Sequence, residues 1–352
     1  MDMKRFHFTI RIFTIIVLSS LIYSCAKPKK TDVVVPPVDT VYTLTPDTLF
    51  YPPHFPAPEI PADNQPCKEI EQLGRMLYYD TILSNDGRYC ARCHIQSNAF
   101  SSLSLYNNSM PVLPHENLAW YTNYMWDGSK SGTLEDVMKF EVETFFGTDL
   151  NKINQNTKYK ALFKKYFKTT NITHKDIAYA LAQFLRTVIT RNTKYDKTMT
   201  GMATLTSDEY MGYRIFFTEK GDCFHCHINP IMTDNNMHNT GLDSLYTKEA
   251  DKGYFNVTSN PADLGKFRTP NLRNVALRNY YMHDGRFTTL EQVIDFYDHG
   301  MHKVNNLDPI MSKAYKADGL HLSSEEKSQL ISFLKTLTDS AFITDASLNN
   351  PN

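Results

Sequence analysis

Two five-residue stretches carry the most chemistry in this chain: "CARCH" at 90–94 and "CFHCH" at 223–227. Two thiols three residues apart can add to the two vinyl groups of a haem. The histidine that follows then lies under the iron as its proximal ligand. Zinc is the competing reading of a cysteine pair, but a zinc site usually draws a second pair from close by to reach four ligands. A thioredoxin-like redox pair would follow a strand in a βαβ unit, and no such unit is visible. Two such motifs in one chain point to two c-type haems, attached at Cys90, Cys93, Cys223 and Cys226, with His94 and His227 as iron ligands. The intervening Arg92 and His225 are expected to face solvent.

The sequence around the motifs repeats. "YMWDGSKSGTLEDVMKFEVE" (124–143) follows the first, and "YMHDGRFTTLEQVIDFYDHG" (281–300) follows the second. Thr133 and Thr289 read as N-caps of a helix in each half, with acidic residues in the first turn. In small helical haem domains such a later helix supplies the group opposite the proximal histidine. Eight residues past the caps stand Glu141 in the first half and Tyr297 in the second. Tyr297 can ligate iron through a phenolate. Met301, four residues on and on nearly the same face of a helix, can do so through its thioether, and a packed aromatic with no ligand is the third possibility. Glu141, with Glu143 as second choice, is the candidate acid–base group of the first centre, against the plain alternative of a solvated acidic face.

The elements that must hold these residues are helical. "ITHKDIAYALAQFLRTVI" (172–189) has apolar residues at helical spacing and closes the first half. "SSEEKSQLISFLKTLTDS" (323–340) opens with a capping box, Ser323 and Glu326, and closes the second. Long connections such as 228–270 carry few periodic apolar positions and are expected to be irregular. The fold class is therefore mostly α: two cytochrome c-like helical domains, each with one covalently bound haem, over residues 67–192 and 193–345, followed by a tail at 346–352.

The N-terminus reads as an export signal: Lys4, Arg5 and Arg11, then the short apolar "FTIIVLSSLIYSC". "LIYSC" resembles a bacterial lipobox, which makes residues 1–25 a lipoprotein signal and Cys25 the lipid attachment point; a cleaved ordinary signal peptide is the alternative. Proline-rich residues 26–66 read as a tether holding the folded part off a membrane. The expected location is the periplasm or cell envelope. Cys67 has no functional assignment. With 37 basic and 38 acidic residues and a mean hydropathy of −0.41, the chain has neither the charge of a nucleic-acid surface nor the apolarity of a polytopic membrane protein.

With both motifs and the repeat in place, the chain resembles the bacterial di-haem cytochrome c peroxidase family, which includes the MauG-type enzymes. The resemblance runs from "LGRMLYYD" to "ISFLKTLTDS" and is densest in "GDCFHCHINPIMTD", "GKFRTPNLRNVALRNYYMHDGRFTTLEQVIDFY" and "MWDG". It implies reduction of hydrogen peroxide to water. Electrons from a small cytochrome c or cupredoxin enter at the C-terminal haem and pass to the N-terminal haem. It implies that Trp126 lies between the haems and His283 near the second one. It also implies a calcium ion between the domains, though the positions matching its usual ligands are not recognisable, and often a homodimer. At least one of Arg268 and Arg273 is expected to meet a haem propionate, against the plain alternative of ordinary surface salt bridges. Tyrosine at 297 matches the MauG-type enzymes, where the ordinary peroxidases have methionine; this supports a second reading, peroxide-dependent oxidation of a protein or small molecule. Val137 and Gly147 replace the family's usual glutamine and glutamate, which is why Glu141 is the acid to watch. In peroxidases of this family a loop histidine leaves the N-terminal haem on activation, and His115 is the candidate, with Met110 after it. If Glu141 or His115 closed the first iron, the third reading would apply: an electron-transfer cytochrome without peroxidase activity.

Overall fold

The computed structural model describes residues 42–313 and 319–352; helices and irregular connections make up nearly all of them, with four two-residue strands. In chain order the helices are α1 (Lys68–Tyr78), α2 (Cys90–Cys93), α3 (Leu134–Phe140), α4 (Leu150–Gln155), α5 (Thr157–Phe167), α6 (His174–Thr187), α7 (Lys194–Met199), α8 (Ser207–Phe216), α9 (Phe255–Thr258), α10 (Leu290–Asp295) and α11 (Ser324–Lys335). Strand β1 (Asn123–Tyr124) pairs antiparallel with β2 (Lys130–Ser131), and β3 (Met237–His238) with β4 (Phe267–Arg268). Met1, Lys4, Cys25 and the rest of the expected signal lie outside the described residues.

Two apolar cores form, each around one pair of crossed helices. In the first, α1 crosses α6, and Leu73, Leu77, Phe163, Leu181 and Phe184 pack together. In the second, α8 crosses α11, with Ile215, Phe216, Leu330, Phe333 and Leu334 inside. Each crossing passes over a glycine. A Cβ on Gly74 would stand 1.9 Å from the carbonyl oxygen of Ala180, and a Cβ on Gly212 would stand 1.9 Å from that of Gln329. Only glycine lets the backbones approach so closely. Capping boxes start α6 (Thr173, Asp176), α8 (Thr206, Glu209) and α11 (Ser323, Glu326). The cores part between Ile189 of the first and Tyr195 of the second.

The internal repeat is deeper in three dimensions than in letters. Met125 and Met282 both take left-handed backbone, at φ 62° and 64°. Thr133 and Thr289 both close capping boxes. Helices α3 and α10 both widen into a π-turn, over Glu141–Phe145 and Phe296–Gly300. Asn117 and Asn274 are also left-handed, and their N–H groups donate to Val188 and Leu337, both at 2.9 Å. Their Oδ1 atoms accept from the N–H groups of Thr190 and Asp339 at 3.0 and 2.8 Å. Each asparagine thus ties the segment after its proximal histidine to the chain leaving the closing helix.

Two expectations at the edges need correction. From Tyr42 onward the proline-rich segment is not a free tether: Phe55 is buried in the first core and Trp120 Nε1 donates to Pro56 O at 2.8 Å. The C-terminal stretch is not a loose tail either. Phe342 and Leu348 are buried in the first core, and Arg75 donates to the Asn349 carbonyl at 2.7 Å. In both cases apolar side chains among the prolines and asparagines supply burial that the composition alone did not suggest.

Candidate haem sites

In the first centre, the turn of α2 carries Cys90 and Cys93, and the His94 N–H donates to Cys90 O at 3.0 Å. In the second, a 3₁₀ turn carries Cys223, and the His227 N–H donates to Cys223 O at 2.9 Å. His94 Nδ1 lies 3.1 Å from Phe100 O, and His227 Nδ1 lies 3.1 Å from Met232 O. A carbonyl only accepts, so Nδ1 carries the proton in both rings and Nε2 is the nitrogen that would face a metal. Burial pushes both imidazoles down to about 4, so both are neutral, as ligands must be. No disulfide joins the described cysteines to one another. Arg92 is exposed and His225 partly so, as expected of the intervening residues.

The second centre opens into a cavity of about 1680 Å³, its open mouth included. Cys223, Cys226, His227 and Tyr297 line it together with apolar Leu272 and Ile294. Two guanidiniums also reach this wall. Arg268 is 3% exposed, donates to Met125 O at 3.0 Å and Thr269 O at 3.3 Å, and lies over the Tyr121 ring at 5.0 Å. Arg278 keeps an Nε–H buried without a hydrogen-bond partner. Arg278 has the Glu116 carboxylate at 3.2 Å, whereas Arg268 is a buried guanidinium without a carboxylate partner and calls for an anion from elsewhere. Apolar walls, paired thiols, a neutral imidazole, the Arg268 guanidinium without a carboxylate partner and the unpartnered Nε–H of Arg278 fit a covalently bound haem with its propionates.

The first centre is built differently. Glu141 opens the π-turn after α3 and lies near enough to Cys90 to raise that thiol further, beyond the effect of burial. Burial raises Glu141 itself, Lys130 and Arg88 pull the other way, and its pKa is pushed up to about 7. Glu143 is exposed and lies 3.7 Å from both Lys139 Nζ and His174 Nδ1. It faces solvent, so the second-choice acid is removed.

His115 also needs correction. Its ring stacks on His94 with centroids 3.3 Å apart and planes 13° apart, while Tyr78 Oη lies 3.2 Å from its Nδ1. A ring on the face of the proximal imidazole lies beside that ligand, not across the haem from it. Arg273 is no propionate partner either. It is fully buried and clamps both Asp196 carboxylate oxygens, at 2.9 and 2.7 Å. Met301 follows the π-turn in extended conformation and does not reach the cavity. The wider turn breaks the four-residue spacing on which its candidacy rested.

Trp126 lines the cavity wall, its Nε1 donating to Pro111 O at 2.8 Å, with the Arg268 N–H bonded to its carbonyl. His283 lines the same wall, stacked on Phe267 with centroids 3.6 Å apart and 3.2 Å from Asp251 Oδ1. Asp243, Asp251 and His283 come close together, but Arg286 already binds both oxygens of Asp243, so they form no evident calcium cage. The sequence reading missed Arg278, Met311 and His238 on this wall, and buried Glu116 behind it. His238 is held between Asp234 and Asp308 at 2.7 and 2.6 Å. Burial acts to lower its pKa, but the two carboxylates outweigh that and push it up to about 12. Arg278 stands inside a quoted stretch without being singled out there, and the other three fall outside the quoted stretches.

Two cysteine–histidine centres on a doubled helical scaffold define a di-haem c-type oxidoreductase. The profile of the family described as di-haem cytochrome c peroxidase matches residues 68–204. A "Cytochrome-c peroxidase IdrP2" of Denitromonas iodatirespirans is 30% identical over 325 residues, covering 80% of this chain and 84% of that protein. A "Methylamine utilization protein MauG" of Methylorubrum extorquens is 29% identical over 296 residues, covering 79% and 80%. Among solved structures, a MauG-like protein associated with microbial copper homeostasis superposes with a TM-score of 0.77 at 30% identity, covering 86% of this chain and 99% of that one. The chain belongs to the di-haem cytochrome c peroxidase family and is a peroxidase-like oxidoreductase.

Proposed function

We propose that this protein reduces hydrogen peroxide to water at its first centre, with electrons from a small redox protein entering at the second. The observation that carries this reading is the asymmetry of the repeat: one position holds a carboxyl poised near pH 7 in the first half and a tyrosine in the second. When bound, each haem iron takes up or gives one electron, so two irons match H₂O₂ + 2e⁻ + 2H⁺ → 2H₂O. Glu141 is suited to take a proton from one peroxide oxygen and return it to the other, because a group titrating near the working pH does both. Lys130 and Arg88 supply positive charge beside it. Glu141→Gln should lower peroxide turnover by about 10²–10⁴-fold. The carboxylate form takes the first proton, so wild-type kcat/KM should rise as pH passes upward through about 7, and the variant's profile should be flat there. Unchanged kinetics and an unchanged profile would remove Glu141 as the catalytic group.

A second reading, peroxide-dependent oxidation of another protein or a small molecule, is favoured by Tyr297 on the cavity wall. It predicts that the oxidising equivalents of added peroxide persist after the excess is removed, and that a small reductant can titrate them. Rapid loss of those equivalents would exclude it. The proposed setting is the cell envelope, with the chain anchored through lipid on Cys25; recovery of a Cys25→Ser variant in the membrane fraction would contradict the anchor.

A further inference from the structure

Glu116 is fully buried where the two haem-binding halves meet. Asn274 Nδ2 donates to its Oε2 at 2.6 Å, Thr190 Oγ1 donates to the same oxygen, and Arg278 donates to Oε1 at 3.2 Å. Thr190 Oγ1 itself accepts from Asn274 at 2.9 Å, so its own proton goes to Glu116. Every partner is a donor, and the group that this set satisfies is a carboxylate. The residue before it, His115, stacks on the proximal ligand of the first centre, and Arg278 lines the cavity of the second. Arg278 is otherwise held by carbonyl and amide oxygens, Arg273 O at 3.0 Å and Asn271 Oδ1 at 3.5 Å.

The repeat gives this position a counterpart. The residue before left-handed Asn117 is Glu116, and the residue before left-handed Asn274 is Arg273. Both are buried charges; Glu116 pairs across into the second half, whereas Arg273 finds its counter-charge, Asp196, inside its own half. Glu116 reaches Asn274 and Arg278, while Arg273 reaches Asp196 and Thr190 O and lies over the Phe55 ring at 4.6 Å. Only the carboxylate arm therefore pairs with a charge of the other half, a cation on the wall of a haem cavity.

We propose that Glu116 is a positioning residue that sets the gap between the two haem potentials, by holding its charge against Arg278 on the wall of the second centre. In the dry interior such a charge is weakly screened. Without it, the Arg278 guanidinium stands uncompensated and favours the iron that has gained an electron. This inference rests on the di-haem reading but not on peroxide chemistry.

The test is a mediated spectroelectrochemical titration of the holoprotein without peroxide, in which each iron(III) takes one electron from the electrode to give iron(II). A Tyr297→Phe background marks the second haem's wave. Glu116→Gln should move that wave to higher potential and widen or narrow the gap accordingly. Arg278→Gln should move it to lower potential, and Glu116→Asp should leave it close to wild type. A gap unchanged in both neutral variants, or a shift of the same sign in both, would overturn the proposal. If Glu116→Gln does not assemble, the sign of the Arg278→Gln shift decides alone. Normal shifts in a protein inert to peroxide would sink the functional proposal and leave this one standing.

Discussion

Glu141 and Tyr297 occupy one place in the repeat and face one cysteine–histidine motif each, so a single position differentiates the two centres. Burial, followed by the neighbouring Cys226 and Cys223, raises the Tyr297 phenol well above its ordinary range. A phenol so placed stays protonated at neutral pH unless a metal takes it, so a Tyr297→Phe change should alter the second haem's absorption and EPR spectra. Identical spectra would move the ligand elsewhere, and Met311 on the same wall would then be the side chain to replace. The proximal ligands were legible in the sequence because covalent haem attachment demands neighbouring residues. Met311, His238 and Glu116 were not, because tertiary contacts alone bring them to the site, and Arg278 stood in a quoted stretch with nothing local to mark it among its neighbours. Met301 misled for a local reason: four-residue spacing means one face only on an α-helix, and the chain there is a π-turn.

At the scale of elements, crossed helices set each haem motif, and the glycines at the crossings decide how closely they pack. Gly74→Ala would press a methyl group into Ala180 O across α1 and α6, and Gly212→Ala would do the same to Gln329 O across α8 and α11. Each change should cost about 1–3 kcal/mol, the usual penalty for overpacking, read as a lower urea midpoint. Unchanged midpoints would mean that the crossings yield without strain. The helices that cross were largely legible: 172–189 and 323–340 were expected, and His174–Thr187 and Ser324–Lys335 are found. Their capping residues and apolar spacing are local signals. The π-turns had no local signal, since the residues over Glu141–Phe145 continue an ordinary helical pattern.

Across the whole molecule, two similar halves are fastened by one buried ion pair, Glu116 to Arg278, and by polar and apolar contacts around it. Glu116 ties the first half to Arg278, Arg273 pairs with Asp196 in its own half and reaches the first through Thr190 O, and the C-terminal Phe342 and Leu348 return to the first core. The doubling of the fold was visible in the repeated letters, whereas the cross-fastening was not, because its partners are far apart in sequence. The account's central claim is that one centre is open to peroxide while the other serves as its electron partner. The most direct test is the low-temperature EPR spectrum of the holoprotein, oxidised and half-reduced, each taken before and after one equivalent of hydrogen peroxide. The account predicts a high-spin signal in at least one of the two states, and that peroxide consumes it. Two low-spin signals in both states, unmoved by peroxide, would contradict it and leave an electron-transfer cytochrome.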